Sequence, residues 1–200
     1  INDDGTIDVE GDVNLTLLQL TEMPVRFRTV VGDFFCEEND LTSLKGCPTT
    51  VVGKFDCSNN KLTSLEGGPS IINGLYYCYS NQLTSLEGCP DNVQGTFMCS
   101  YNQLTSLEGC PTNVGGNFEC KENEIYDING LSDDIWGYFY CYKNPICSIF
   151  DGVDKDFLYA FKTFKVLKGG QVNLKRLKYV MSLFNQPIEL EEIEKHYKIV

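Results

Sequence analysis

Phe55-Asp56-Cys57-Ser58-Asn59-Asn60-Lys61-Leu62-Thr63-Ser64-Leu65-Glu66-Gly67 is written again as Tyr76-Tyr77-Cys78-Tyr79-Ser80-Asn81-Gln82-Leu83-Thr84-Ser85-Leu86-Glu87-Gly88, and a third time from Phe97 to Gly109. Working outward, Cys36, Cys57, Cys78, Cys99, Cys120 and Cys141 follow one another at 21-residue intervals. Three residues after each stands an asparagine: Asn39, Asn60, Asn81, Asn102, Asn123 and Asn144. An unbroken fixed period means one small unit stacked on copies of itself, each burying its apolar face on its neighbours. The pattern predicts a mainly β solenoid of parallel strands, about seven coils of 21 residues, over residues 1–150.

Within a unit the alternation Val51-x-Gly53-x-Phe55-x-Cys57 predicts one strand, with these residues facing inward and Lys54, Asp56 and Ser58 facing outward. Asn60 follows at a turn, where its amide can bond backbone groups that the turn leaves unpaired. Stacked, the six asparagines form a ladder. Leu62 and Leu65 bring the chain back to the core, and Gly67 and Pro69 close the corner. Counting back from Cys36 puts Leu15 in the cysteine slot, Val13 in the phenylalanine slot and Gly11 in the glycine slot, so Ile7 to Leu20 reads as a worn first coil.

Ten cysteines would suggest a disulfide scaffold in a secreted chain. Here six share one inward strand position, where rungs lie roughly 4.8 Å apart and a disulfide wants Cβ atoms about 3.8 Å apart. Stacked, reduced, buried thiols are expected. Cys47, Cys89 and Cys110 share a second slot with Gly68 and Leu131, a small packing position. No Cys-x-x-Cys pair occurs, so no zinc knuckle and no metal site is expected.

The net charge of −12 is uneven: residues 1–150 carry 7 Lys and Arg against 21 Asp and Glu, a balance of −14, and residues 151–200 carry 9 against 7, a balance of +2. An acidic body repels phosphate backbones and steers basic partners toward itself. No apolar run is long enough to span a bilayer, and Ile1-Asn2-Asp3-Asp4-Gly5 lacks signal-peptide character, so a cytoplasmic protein is expected. Because residue 1 is Ile, the numbering is expected to begin inside a longer or processed product.

From Asp151 the composition shifts toward a small helical C-terminal cap, residues 151–200. Asp154 or Asp156 caps a predicted helix carrying Phe157, Phe161, Phe164 and Leu167 or Lys168, stopped by Gly169-Gly170. Asn173 caps a second with Leu174, Leu177, Val180, Met181 and Phe184 on one stripe, ending before Pro187. Glu191 to Tyr197 makes a third.

The phrase Phe-x-Cys-x-x-Asn-x-Leu-Thr-Ser-Leu-Glu-Gly-Cys-Pro resembles the leucine-rich repeat, with Phe and Cys in two strand slots and Asn in the turn slot. The short period resembles a bacterial effector class, and Thr-Ser-Leu-Glu-Gly is similar to repeat proteins of large tailed bacteriophages. Two departures stand out. Val51, Ile72, Val93, Val114 and Ile135 sit one place too far from the strand, with Gly53, Gly74, Gly95, Gly116 and Gly137 between, and the return segment is too short and too rich in Thr, Ser and Gly for a helix. Little helix is therefore expected on the outer side. The resemblance implies a host protein as partner, in the host cytoplasm, and interference with host defence or metabolism.

An enzyme needs an acid, base or nucleophile in a shaped pocket. The sole histidine, His196, lies near the C-terminus, and no repeat carries a phosphate-loop pattern. Glu66, Glu87 and Glu108 share a line with Lys45, read as an exposed charge row. No catalytic residue and no cofactor is expected. The outward strand face is more informative: it carries Phe35, then Leu75, Tyr77, Tyr79 and Met98 with Tyr101 beside them, then Tyr138, Tyr140 and Tyr142. Amphipathic rings of this kind make interface hot spots. The bland reading is a tyrosine ladder that stiffens the sheet. The primary expectation is a non-catalytic protein-binding module using these residues. Two alternatives remain: nucleic-acid binding through Lys162, Lys165, Lys168, Lys175, Arg176 and Lys178, which the acidic body disfavours, and a structural or assembly role.

Overall fold

The computed structural model describes residues 1–168 and 170–200. Each unit forms one coil with two short strands. In the first three coils these are β1 (Ile7–Val9) and β2 (Val13–Asn14), β3 (Phe27–Val30) and β4 (Phe34–Phe35), and β5 (Thr50–Val51) and β6 (Phe55–Asp56). The next four supply β7 (Ile71–Ile72) and β8 (Tyr76–Tyr77), β9 (Asn92–Val93) and β10 (Phe97–Met98), β11 (Asn113–Val114) and β12 (Phe118–Glu119), and β13 (Asp134–Ile135) and β14 (Phe139–Tyr140). Odd-numbered strands stack into one seven-stranded parallel sheet and even-numbered strands into another. Val13, Phe34, Phe55, Tyr76, Phe97, Phe118 and Phe139 are successive register partners, so a shift of 21 residues is one rung.

The predicted single strand from Val51 to Cys57 is two strands in two sheets, bent at Gly53. The bend explains the extra residue in the repeat. At this corner successive coils approach too closely for a side chain: a Cβ on Gly74 would lie 2.3 Å from the Gly53 carbonyl oxygen. The corner glycines bond one another instead, Gly95 N–H to Gly74 at 2.9 Å, then Gly116 to Gly95 and Gly137 to Gly116, both at 3.0 Å.

After each cysteine the chain turns through a left-handed residue. Glu38, Asn59, Ser80, Tyr101, Glu122 and Lys143 have φ between 52° and 58°, a conformation that costs most L-residues about 1–2 kcal/mol. The asparagine that follows offsets this. Asn60 Oδ1 accepts from Leu41 N–H at 2.9 Å, while its amide donates to the carbonyls of Cys36, Cys57 and Ser58 at 3.0, 3.1 and 3.2 Å. Each asparagine thus ties its own turn to the coil before it, the predicted ladder.

Inside, the rings of Phe34, Phe55, Tyr76, Phe97, Phe118 and Phe139 stack at centroid spacings of 5.2 to 5.8 Å. Such pairs add about 0.5–1.5 kcal/mol each beyond the area they bury. Beside them the six ladder cysteines are fully buried, and all ten cysteines are free thiols. Burial pushes the thiols of Cys57, Cys78, Cys99 and Cys120 up, which keeps them unreactive at neutral pH.

Tyr76 is the one tyrosine in this ring column, and its hydroxyl is buried with no hydrogen-bond partner. The same coil has Gly68 where others have Cys47, Cys89, Cys110 or Leu131, and a Cβ there would lie 2.9 Å from Leu44 Cδ1, 3.1 Å from the Leu65 carbonyl oxygen and 3.4 Å from the Tyr76 hydroxyl. The hydroxyl fills space that a side chain occupies elsewhere. Gly68→Cys is expected to destabilise by about 1–3 kcal/mol through overpacking. In the Tyr76→Phe background the cost should shrink by about 1 kcal/mol, read as coupling in a urea-denaturation double-mutant cycle. Strictly additive costs would separate the two positions.

Among the described residues the stack ends at the seventh coil, and Asp151, Gly152 and Val153 take the place of the next rung. Phe139 N–H donates to the Val153 carbonyl at 2.8 Å, Gly152 N–H to Phe139 at 2.9 Å, and Cys141 N–H to Asp151 Oδ1 at 3.1 Å. Phe150 meets the last ring, Phe139, edge to face at 6.4 Å, and Phe161 meets Phe150 edge to face at 4.3 Å. Asp154 caps α1 (Lys155–Thr163) by accepting from Phe157 N–H at 3.0 Å. Contrary to expectation, α1 stops before Leu167. Lys165 turns left-handed (φ 48°), and Leu167–Lys168 form β15, paired with β16 (Gln171–Val172), which also pairs with β17 (Lys198–Ile199). Of the predicted Gly169-Gly170 stop, Gly169 lies outside the described residues. Asn173 caps α2 (Leu174–Leu183) as predicted, accepting from Arg176 N–H at 3.0 Å. The third helix, α3, is Leu190–Glu194 and not Glu191–Tyr197, because Tyr197 turns inward and donates to the Tyr126 carbonyl. The buried apolar residues form one cluster from Phe27 to Tyr197. Among the described residues no helix is long and apolar enough to cross a membrane.

Candidate interaction face

The even-numbered strands turn one side chain per rung away from the core. Register places Asn14, Phe35, Asp56, Tyr77, Met98, Glu119 and Tyr140 in a single column. Four of the predicted residues, Phe35, Tyr77, Met98 and Tyr140, therefore share one line, each half-buried. Leu75 and Tyr138 flank it two residues before, Tyr79 and Tyr142 two residues after. Tyr77 and Tyr79 have ring centroids 6.3 Å apart, and Tyr138 and Tyr140 6.1 Å. Tyr138 and Tyr142 are about half exposed, at 51% and 53%. Tyr101 stands apart: it occupies the left-handed turn position, 54% exposed, beside the strand column and not within it.

One expectation is corrected. Asp56 and Ser58 point away from the core yet are buried, 3% and 0% exposed. They are short, and the next rungs on either side carry Phe35 and the Tyr77–Tyr79 pair, which overtop them. The buried carboxylate is satisfied: Asp56 accepts the Ser58 hydroxyl at 2.5 Å and its N–H at 3.0 Å, and pairs with Lys54 Nζ at 2.8 Å. The Lys54 ammonium lies 4.4 Å from the Tyr77 ring centroid and 5.4 Å from that of Phe35, a cation between two rings. Burial works against that charge, and Asp56, with Tyr77 and Glu37, outweighs it, so the Lys54 pKa is raised.

The same device recurs lower down. Lys121 Nζ pairs with Glu119 at 2.8 Å and sits 5.0 Å from the Tyr140 ring centroid. The Glu119 contact holds its pKa above the ordinary lysine value. On the stripe Phe35, Tyr77, Met98 and Tyr140 are interleaved with the Asp56 and Glu119 rungs, whose carboxylates pair with Lys54 and Lys121.

Away from the stripe, Glu66, Glu87 and Glu108 are exposed at the coil edge, as expected of a solvated row. Of the basic side chains near the C-terminus, Lys162 donates to the Leu131 and Ser132 carbonyls at 3.0 and 3.2 Å, which docks α1 on the last coils. Two features escaped the sequence reading. Trp136, 69% exposed at the corner before Gly137, carries the Lys155 ammonium 4.9 Å from its ring centroid; its 21-residue column (Val31, Val52, Asn73, Gln94, Gly115) gave no aromatic signal. Cys147, outside the ladder, lines a cavity of about 520 Å³ that His196 also lines.

Comparison with protein families, curated proteins and solved structures returns no match for the chain.

Proposed function

We propose that the chain is a non-catalytic protein-binding module whose aromatic stripe receives a protein partner. The observation that carries this reading is the single column of Phe35, Tyr77, Met98 and Tyr140, flanked by Leu75, Tyr79, Tyr138 and Tyr142. Lys54 and Lys121 keep their own carboxylate partners when water leaves, so covering the stripe strands neither ammonium unpaired, the costliest outcome of burying a charge. The rings lose few rotamers on binding, as hot-spot residues do. A ladder serving only stiffness has no need of tyrosines that stay half exposed, as Tyr138 and Tyr142 do on the last rung. The acidic body steers a partner with a basic surface.

The likeness of the repeat phrase to short leucine-rich repeats of bacterial effectors and tailed bacteriophages supports a finer reading: a host protein as partner, in the host cytoplasm, and inhibition of host defence or metabolism as the act. This step is analogy and not chemistry.

The test is a triple variant. Immobilised wild-type chain is expected to retain a protein from bacterial lysate that Tyr77→Ser/Tyr79→Ser/Tyr140→Ser releases, at about 2 kcal/mol or more per hot-spot ring. Circular dichroism should show both chains folded. Equal retention removes the stripe as the site, and retention that collapses with salt and is competed by DNA or RNA points to the basic C-terminal surface instead.

A further inference from the structure

Every ladder cysteine but one is sealed by the coil above it. Cys141, on the last rung, has no coil above, and the chain folds two other donors over it. Cys147 comes from the 3-10 turn Pro145–Ser148, and Asp151 from the segment that replaces the next rung. The two Sγ atoms and a carboxylate oxygen all lie within 4.8 Å of one another. Elsewhere Cys36 and Cys47 also neighbour each other, but both are buried, whereas Cys147 is partly exposed.

We propose that Cys141, Cys147 and Asp151 form a binding site for a thiophilic divalent cation, zinc by the chemistry of its donors. Two thiolates and one carboxylate are a borderline-soft set, the kind that selects zinc over magnesium or calcium. Zinc–sulfur bonds near 2.3 Å and zinc–oxygen bonds near 2.0–2.2 Å put tetrahedral ligand atoms roughly 3.5–3.8 Å apart. From separations of 4.8 Å or less, a contraction of about 1.3 Å at most brings the three donors there. Cys147 and Asp151 line the cavity of about 520 Å³, together with His196, Glu189 and Glu192. Two of the three donors thus border a cavity with room for a fourth ligand. A disulfide between the same two sulfurs would need neither the carboxylate nor the opening. On binding, the Cys141 thiol gives up its hydrogen bond to the Phe150 carbonyl. Both thiols release their protons to solvent as the two sulfur–metal bonds form, so about two protons leave per ion. The ion would clip the closing segment to the final rung.

The experiment is a titration of the reduced, metal-free full chain with cobalt(II), followed by zinc. Expected are one equivalent of cobalt, a thiolate-to-cobalt absorption band, release of about two protons, and displacement of the cobalt by zinc. Cys147→Ser should remove the band, and Asp151→Asn should weaken binding at least about tenfold while still accepting the Cys141 N–H. Cys89→Ser, in the second cysteine slot of a middle coil, should bind as the wild type does. Thermal melts of the metal-free variants check that each folds. No saturable band, a band that survives both Cys147→Ser and Asp151→Asn, or purified protein carrying a Cys141–Cys147 disulfide and no metal would each overturn the site.

Discussion

Asn81→Asp, a change of one NH₂ for one oxygen, is expected to cost the fold about 3 kcal/mol or more at neutral pH. Asn81 donates to the carbonyls of Cys57, Cys78 and Tyr79 at 3.0, 3.2 and 3.3 Å and accepts from Leu62 N–H at 3.0 Å. An ionised aspartate keeps only the last of these and turns an anion toward three carbonyl oxygens in a buried turn. Leaving a buried charge unpaired costs about 3–5 kcal/mol, and three orphaned carbonyls add to that. The variant can escape by holding a proton, which raises its folded pKa above the unfolded value. Between those two values the native state binds more protons than the unfolded one, so stability falls as pH rises. The deficit should therefore be smaller near pH 4 than at pH 7. Glu87→Gln, on the exposed edge of the same coil, should stay within about 0.5 kcal/mol at both. Urea denaturation at the two pH values decides it. Equal losses from Asn81 and Glu87 would mean that the asparagine column does not hold the coils together.

That column was legible because it is periodic. Fixing Cys57 fixed the rung, and with it the ring column, the asparagine turn and all strand-face residues from Phe35 to Tyr142. What the period could not supply was height. Asp56 and Ser58 point away from the core like Tyr77 and Tyr79, and only the size of the neighbouring rungs buries them. The corner at Gly53 was hidden for a related reason: alternation continues across a bend when inward residues sit on both sides of it. The C-terminal part broke the reading where tertiary pairing overrode local pattern. Leu167 and Lys168 fit the helical stripe, yet they are drawn into a sheet by Gln171–Val172 and, through that strand, by Lys198–Ile199, some 30 residues away. Cys147 and Asp151 escaped notice because they lie where the repeat has ended, and no column predicts which side chains meet there.

Phe97→Asp is expected to unfold most of the array, and Val13→Asp, in the same column, very little of it. Phe97 is fully buried with Tyr76 and Phe118 rings 5.7 and 5.2 Å away. Losing the ring costs about 3–5 kcal/mol and the unpaired carboxylate several more, against a total of about 5–15 kcal/mol for a typical domain. Because each coil touches only its neighbours, stability is nearly a sum of coil and interface contributions, and a break in the fifth coil removes two interfaces. Val13 has a rung on one side alone, pairs with Phe34, and is only half-buried. An aspartate there can turn to water, at about 1 kcal/mol, and frays the first coil. Hydrogen exchange reads the difference by residue: protection should vanish on both sides of Phe97→Asp, but only before Met23 in Val13→Asp. Equal, global loss of protection from both substitutions would show that the chain folds as one indivisible unit and not as rungs that support one another in sequence.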